Sequence, residues 1–192
     1  MRPDHKIIFD LIEPGSRVLD LGCGDGELLS LLTKEKGILG QGIEVNERSI
    51  YKCVEKGLSV FHGDIDSGLS AYPTATFDYV ILNNSLQQVK DVSFVLEEAL
   101  RVGKKAVVGF PNFANFRSRL QILFKGKTPI TPSLPYKWHD TPNLHFLSIS
   151  DFWDYCHDKK LKVWKVFYLK DDSIIRTLPN LRADQAIFIL SR

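Results

Sequence analysis

The sequence is short of cysteine, has a single methionine, carries no excess of charge of either sign and contains no long apolar run. Each shortage removes a class of function. Cys23, Cys53 and Cys156 form no CxxC pair and have no zinc-ligand spacing, which excludes a disulfide framework, a zinc ribbon or a redox dithiol. They read as reduced thiols, and the expected location is cytoplasmic. Cys23 lies among glycines and reads as a small space-filling residue, because no partner that would lower its pKa is evident. With 25 basic and 23 acidic residues the formal charge is +2, so bulk charge gives no reason to expect nucleic acid or an anionic membrane as partner. No uncharged apolar stretch reaches membrane-spanning length, and residues 1–10 lack the apolar run of a signal peptide. Internal repeats and low-complexity segments are also missing.

What is present is enough for one domain. The chain has 192 residues, 44% of them hydrophobic, which suits a globular unit with a sizeable core. Apolar runs alternate with helical patterns, which predicts an α/β fold with a mostly parallel sheet and helices on both faces. Strands are expected at 17–21, 39–45, 58–62, 77–82, 105–110, 161–169 and 186–190. The second is weakened by Gly40 and Gly42. The fourth, FDYVIL, is apolar almost throughout, as a central parallel strand should be. Leu28, Leu29, Leu31 and Leu32 mark a helix after the first strand. Asn46 suits an N-cap for the next helix, which carries Ile50, Cys53 and Val54 and stops at Gly57. Val92, Val95, Leu96, Ala99 and Leu100 mark a third helix. Phe152, Trp153 and Cys156 mark another, with Ser150 near its start.

The last two strands are separated by about sixteen residues too polar for a crossover helix, so an antiparallel pair at the sheet edge is expected. The prediction is one domain over 1–192 with seven strands, the last reversed. An insertion at 111–149 exceeds an ordinary connection and suits a lid or an interface. The first strand begins by residue 17, and no separate domain is expected before it.

The run from Val18 to Gly26 (VLDLGCGDG) ends the first strand and opens the first helix. Gly22 and Gly24 permit a sharp turn and close approach of backbone to ligand. The spacing is GxGxG, with Glu27 at the third glycine position of the NAD fingerprint. A carboxylate there would oppose a pyrophosphate, so NAD and FAD are disfavoured. A Walker A loop is excluded because no Gly-Lys-Ser/Thr follows. Glu44 ends the second strand, 20 residues after Gly24, where a carboxylate can accept from both ribose hydroxyls. Asp64 follows the third strand and can accept from an adenine amino group. Asp20, Gly22, Gly24, Gly26, Glu44, Asp64 and Asn83, the last at the end of the fourth strand, form the candidate cofactor-binding set. The competing reading makes Asp20, Glu44 and Asp64 helix caps or solvated turns.

These residues resemble the class I S-adenosylmethionine (SAM)-dependent methyltransferases, whose first motif is similar to Val18–Gly26. The resemblance implies a Rossmann-like sheet, a glycine loop holding the methionine part of SAM or S-adenosylhomocysteine, Glu44 on the ribose and Asp64 on the adenine. The second half is more specific. Phe110 to Phe113 (FPNF), the run RSRLQ from Arg117, the segment from Pro132 to Asn143 (PSLPYKWHDTPN) and the upstream NSLQQV from Asn84 resemble the MetW family of methionine biosynthesis proteins over nearly the whole chain. That resemblance implies a role in methionine biosynthesis beside a homoserine O-acetyltransferase, called MetX in that pathway. It names no methyl acceptor.

Methyl transfer needs a nucleophile held in line with the sulfonium methyl and sometimes a general base. Between Ile81 and Val89 there is no carboxylate or histidine, and the Asn/Asp-Pro-Pro-aromatic motif of amino-group methylators is lacking. The insertion offers His139, Asp140 and His145. An Asp can orient an imidazole as a base, but a loop-stabilising hydrogen bond is the plainer reading, and no strong metal-ligand spacing occurs. Phe113, Phe116, Leu120, Leu123 and Phe124 predict an amphipathic helix, with Arg117, Arg119, Lys125 and Lys127 on or beyond it. Three functions compete: a SAM-binding accessory of the acetyltransferase, a self-sufficient small-molecule methyltransferase and, weakest, a nucleic-acid methyltransferase.

Overall fold

The structure is a computed structural model that describes all 192 residues. One eight-stranded sheet runs through it in the order β3-β2-β1-β4-β5-β8-β6-β7. The strands are β1 (Arg17–Leu21), β2 (Leu39–Glu44), β3 (Ser59–His62), β4 (Phe77–Asn83), β5 (Gly103–Pro111), β6 (Lys162–Lys170), β7 (Ser173–Ile174) and β8 (Gln185–Ser191). The first five pair in parallel, and β8 runs antiparallel between β5 and β6. This is the Rossmann-like α/β arrangement with a reversed last strand. The count differs from the expected seven because β6 turns back into the two-residue β7, too short to leave a periodic signal.

The helices are α1 (Pro3–Leu11), α2 (Glu27–Lys36), α3 (Glu47–Glu55), α4 (Val92–Val102), α5 (Phe116–Lys125), α6 (Ile149–Asp158) and the single turn α7 (Pro179–Arg182). Their starts follow local chemistry. Asn46 caps α3 by accepting from the Ser49 N–H, as expected. Asp91 caps α4 and Asn115 caps α5 in the same way. In α6 the cap is Ser148 rather than Ser150, because Ser148 and Asp151 form a reciprocal capping box.

Two cores lie on the two faces of the sheet. On one, Leu19, Leu21, Val80, Leu82, Val108 and Phe188 meet Val95 and Leu96 of α4 and Phe152 of α6. On the other, Val18, Ile81, Val107 and Ile187 meet Leu29 and Leu32 of α2 and Ile7 and Ile8 of α1. Truncating any of these buried leucines would cost about 2–5 kcal/mol. The glycines of β2 serve this packing. A Cβ on Gly40 would lie 2.8 Å from the Leu29 side chain, and one on Gly42 would lie 2.6 Å from Cys23 Sγ. The feature that weakens β2 as a strand signal thus lets α2 and the glycine loop close onto the sheet.

The insertion leaves the sheet at the end of β5 and returns at α6. The buried Asn112 fastens its base. Its Nδ2 donates to the Asn180 and Ala183 carbonyls, and its Oδ1 accepts from the Ala114 and Ile149 N–H groups.

Candidate functional site

In a doubly wound sheet, ligands bind beyond the strand C-termini where the order reverses. Here that point lies between β1 and β4. Two adjoining cavities open there, of about 540 and 180 Å³, and both are walled by Gly22, Gly24 and Asn84.

The larger cavity brings together three strand ends. Glu44 ends β2, and three backbone N–H groups fix its carboxylate. Oε2 accepts from Gly24 at 2.8 Å, and Oε1 accepts from Val45 and Asn46 at 2.9 Å each. Asp64, after β3, uses Oδ1 to accept from the Asp66 N–H and so caps a single 3-10 turn, leaving Oδ2 for other donors. Asp66 in turn accepts from the Lys90 N–H, tying this turn to the segment after β4. Ile43, Ile65 and Val89 supply apolar surface. Three carboxylates and no lysine or arginine line the cavity. That lining opposes a phosphorylated ligand and suits a neutral or cationic nucleoside with hydroxyls to donate.

Both glycines of the loop have positive φ, +74° at Gly22 and +56° at Gly24. A Cβ on Gly22 would strike Ser85 Cβ at 2.7 Å, so this glycine lets the segment after β4 approach. Gly24 has nothing within 4 Å of a built Cβ and faces open cavity, the cradle that close backbone approach requires. Gly26 differs from expectation. It lines neither cavity, and a Cβ there would meet Leu58 at 2.5 Å and Cys53 Sγ at 2.9 Å. Its place is the left-handed entry to α2, packed on the protein itself.

The smaller cavity is lined by Asp20, Asp25 and Glu27 together with Arg2 and His5 of the N-terminal segment, and His5 Nδ1 lies 3.8 Å from Glu27 Oε2. Asp20 is buried and makes no side-chain hydrogen bond. Burial, and then the nearby charge of Glu44, push its carboxyl up to about 7. Burial, followed by the charge of Asp20, raises the Cys23 thiol well above its ordinary range, so Cys23 is an inert filler at neutral pH. Asn83 points toward α1, where its Nδ2 donates to Asp4 Oδ2 at 2.9 Å. Asn84 holds a left-handed backbone at φ +62° and accepts from Gln185 Nε2. Gln87 and Gln88 both donate to the Asn84 carbonyl. Asn84, Gln87 and Gln88 are thus engaged within the protein, while Ser85 Oγ and Gln87 Oε1 are buried without a partner, and none of these side chains is a base.

His139 and Asp140 make no hydrogen bond with each other and line neither cavity. His145 Nε2 lies 2.9 Å from the Val89 carbonyl. A carbonyl only accepts, so Nε2 carries the proton and the ring is a strut between the insertion and the cavity wall. Tyr136, within the insertion, lines the larger cavity. The element that sequence reasoning missed is α1, whose Asp4 and His5, with Arg2 just before the helix, all reach the site. Pro3 at its first turn and Ile8 and Leu11 three apart were the available signals.

The sequence profile of the methionine biosynthesis protein MetW family matches residues 2–190. The chain belongs to that family. It is also similar to the bifunctional methionine biosynthesis protein MetXA/MetW of Rhodopirellula baltica, with 35% identity over 98% of this chain. This chain spans about a third of that relative's length (32%). Among solved structures, an S-adenosylmethionine-dependent methyltransferase of Mesorhizobium loti superposes with a TM-score of 0.71 at 18% identity, covering 99% of this chain and 96% of that one. The [4+2]-cyclase SpnF superposes with the same TM-score of 0.71 at 14% identity, covering 98% of this chain and 80% of that one. These likenesses show the MetW chain to have the methyltransferase fold. The cyclase shows that the fold alone does not name a reaction.

Proposed function

We propose that this MetW protein binds SAM or S-adenosylhomocysteine across the two cavities and acts as an accessory of a homoserine O-acetyltransferase. The observation that carries the ligand reading is the larger cavity's lining of three carboxylates without a single cation. A thionucleoside has ribose hydroxyls and an adenine amino group to donate and no phosphate to repel. Glu44 and Asp64 stand at the two strand ends where those donors would lie, and the amino-acid tail would enter the smaller cavity beyond Gly24. Bound SAM would supply a sulfonium methyl. What this chain's residues do is hold the nucleoside and amino acid.

The accessory role rests on two further points. The MetXA/MetW relative joins both names in one polypeptide. The insertion also carries apolar surface with nothing of its own to cover it. On α5 only Ser118 is buried. Leu123 and Phe124 are 74% and 77% exposed, and Trp138 beyond the helix is 74% exposed. Such anchors, with Arg117 and Arg119 alongside, suit a protein interface. Phe113 and Phe116 contribute less to this surface, since both are half-buried and Phe113 packs on Phe146 at 5.0 Å. The second reading, a self-sufficient small-molecule methyltransferase, is favoured by the cavity but has no base after β4.

The test is calorimetry with S-adenosylhomocysteine, expected at a micromolar Kd, or about 8 kcal/mol. It is joined to an acetyltransferase assay with and without this protein. Association that changes acetyl transfer supports the accessory reading. Rapid methylation of a defined metabolite without association overturns it.

A further inference from the structure

The smaller cavity has a wall that the glycine loop does not supply. It is built by the N-terminal segment, and its arrangement is specific. Asp4 is 2% exposed, yet its carboxylate stays ionised. Burial would raise its pKa, but the hydrogen bond from Asn83 and the charge of Arg2 outweigh that and lower it. Arg2 donates from Nη2 to Asp4 Oδ2 at 2.7 Å and from Nε to Oδ1 at 3.2 Å. Two of its five N–H groups are thereby used, and the other three have no partner within the protein. Asn83 and Asn84, at 2.9 and 3.4 Å, complete the ring around Asp4. His5 also lines this cavity. It is 5% exposed, and its Nδ1 is buried without a hydrogen-bond partner. Asp20, Asp25 and Glu27 line the same cavity, with Glu27 Oε2 3.8 Å from His5 Nδ1.

One guanidinium and three carboxylates around a single cavity, beside an imidazole nitrogen that has no hydrogen bond, are the charges that a zwitterion needs. A buried polar atom left without a partner is costly unless a ligand meets it. The remainder of α1 packs Ile7 and Ile8 into the core with α2, and Ile12 just beyond its end does the same, so Arg2 immediately precedes a fixed element.

We propose that α1 and the residue before it form an amino-acid clamp: Arg2 binds the α-carboxylate of the ligand, and Asp4 is the positioning residue that aims Arg2 and links it to the end of β4. The clamp makes the site selective for a nucleoside that carries an α-amino acid over the same nucleoside without one. This rests on the reading of the ligand as SAM or S-adenosylhomocysteine.

The experiment compares two ligands by calorimetry on the full chain: S-adenosylhomocysteine and 5′-methylthioadenosine, which keeps the thionucleoside and lacks the amino acid. Arg2→Ala should weaken S-adenosylhomocysteine about 10- to 100-fold, the range for losing a charge-assisted hydrogen bond. It should change 5′-methylthioadenosine less than about twofold, because that ligand has no carboxylate for Arg2 to meet. Arg2→Lys should restore part of the lost affinity, because it keeps the charge but not the fork. Asp4→Asn should weaken S-adenosylhomocysteine alone, by a smaller factor. Binding of 5′-methylthioadenosine reports that each variant is folded. Equal weakening of both ligands in Arg2→Ala would make α1 a merely structural roof and overturn the clamp. An unchanged S-adenosylhomocysteine affinity would overturn it too, while leaving the ligand reading intact. If the unaltered protein binds neither compound, the ligand reading itself fails and takes the clamp with it.

Discussion

The walls of the larger cavity and the insertion of residues 111–149 differ in what their side chains touch. In the cavity, each functional group is held by its own protein. Glu44 accepts from three backbone N–H groups, Asp64 caps a turn, and Gly22 lies against Ser85. On α5 the converse holds. Leu120, Ile122, Leu123 and Phe124 all face solvent, and the helix buries one serine. On the proposed reading, the first region is complete within one chain and takes a small ligand. The second has the composition of a packed surface whose other half lies on a partner. An apolar helical stripe is therefore not by itself a statement about a protein's own core.

The comparison can be broken most sharply at Gly24. Gly24→Val places a branched side chain in the open cavity at a positive φ that valine tolerates poorly. S-adenosylhomocysteine binding should be lost in calorimetry while circular dichroism stays native. Normal binding would reduce the loop to a structural turn. On the other region, the pair Leu123→Asp and Phe124→Ser should leave thermal stability within about 0.5 kcal/mol, because nothing is unpacked. Association with the acetyltransferase should weaken by at least about 2 kcal/mol, the level of an interface anchor. A large fall in stability would show that the stripe serves this chain's own core. Should the same pair instead dissolve a dimer, the occupant is a second copy. Arg117→Glu with Arg119→Glu, at the edge of the patch, should have the same direction and a smaller effect.

Glu44→Ala should weaken S-adenosylhomocysteine by about 1.5–3 kcal/mol, as for a hydrogen bond to a charged group. Part of that loss would come from the three N–H groups left without their acceptor. The smallest effect concerns pH. Asp20 has its carboxyl raised to about 7 from 3.8. The folded ligand-free protein then binds a proton that the unfolded chain has released, so this contribution to stability is full below about pH 4. It is lost as pH rises through about 7. A ligand ammonium beside Asp20 favours the ionised form. Affinity should therefore rise from pH 6 to pH 8, by at most about tenfold per unit below 7, and Asp20→Asn should flatten the profile. A profile that falls with pH would remove Asp20 from contact with the ammonium.

Most of the fold was legible because it rests on repeated local rules. FDYVIL reads as a central strand, the glycines after Leu21 read as a turn into a helix, and Glu44 and Asp64 fall at strand ends by spacing alone. α1 escaped because its most telling residues break the pattern: Asp4 and His5 are polar and buried. Periodicity assigns such residues to the surface, and only the partners from β4 reveal their place. Gly26 was misplaced for a related reason. A glycine needed for packing on Cys53 and Leu58 looks the same in sequence as one needed for a ligand. The exposure of α5 was illegible because an amphipathic pattern specifies an apolar neighbour without saying to which chain it belongs.

Asn112 gives the insertion a property of another kind. Through one side chain it holds both the outgoing strand of the insertion, at Ala114, and the returning one, at Ile149, while the Phe113 N–H donates to the Leu147 carbonyl beside them. The excursion is closed at its neck. For a flexible stretch closed in that way, doubling the length costs only about 0.6 kcal/mol of loop entropy. The outer turn can therefore lengthen, shorten or change its residues without altering the spacing of β5 and α6. A surface that has to match a partner is free to drift there, while the sheet behind it keeps its register.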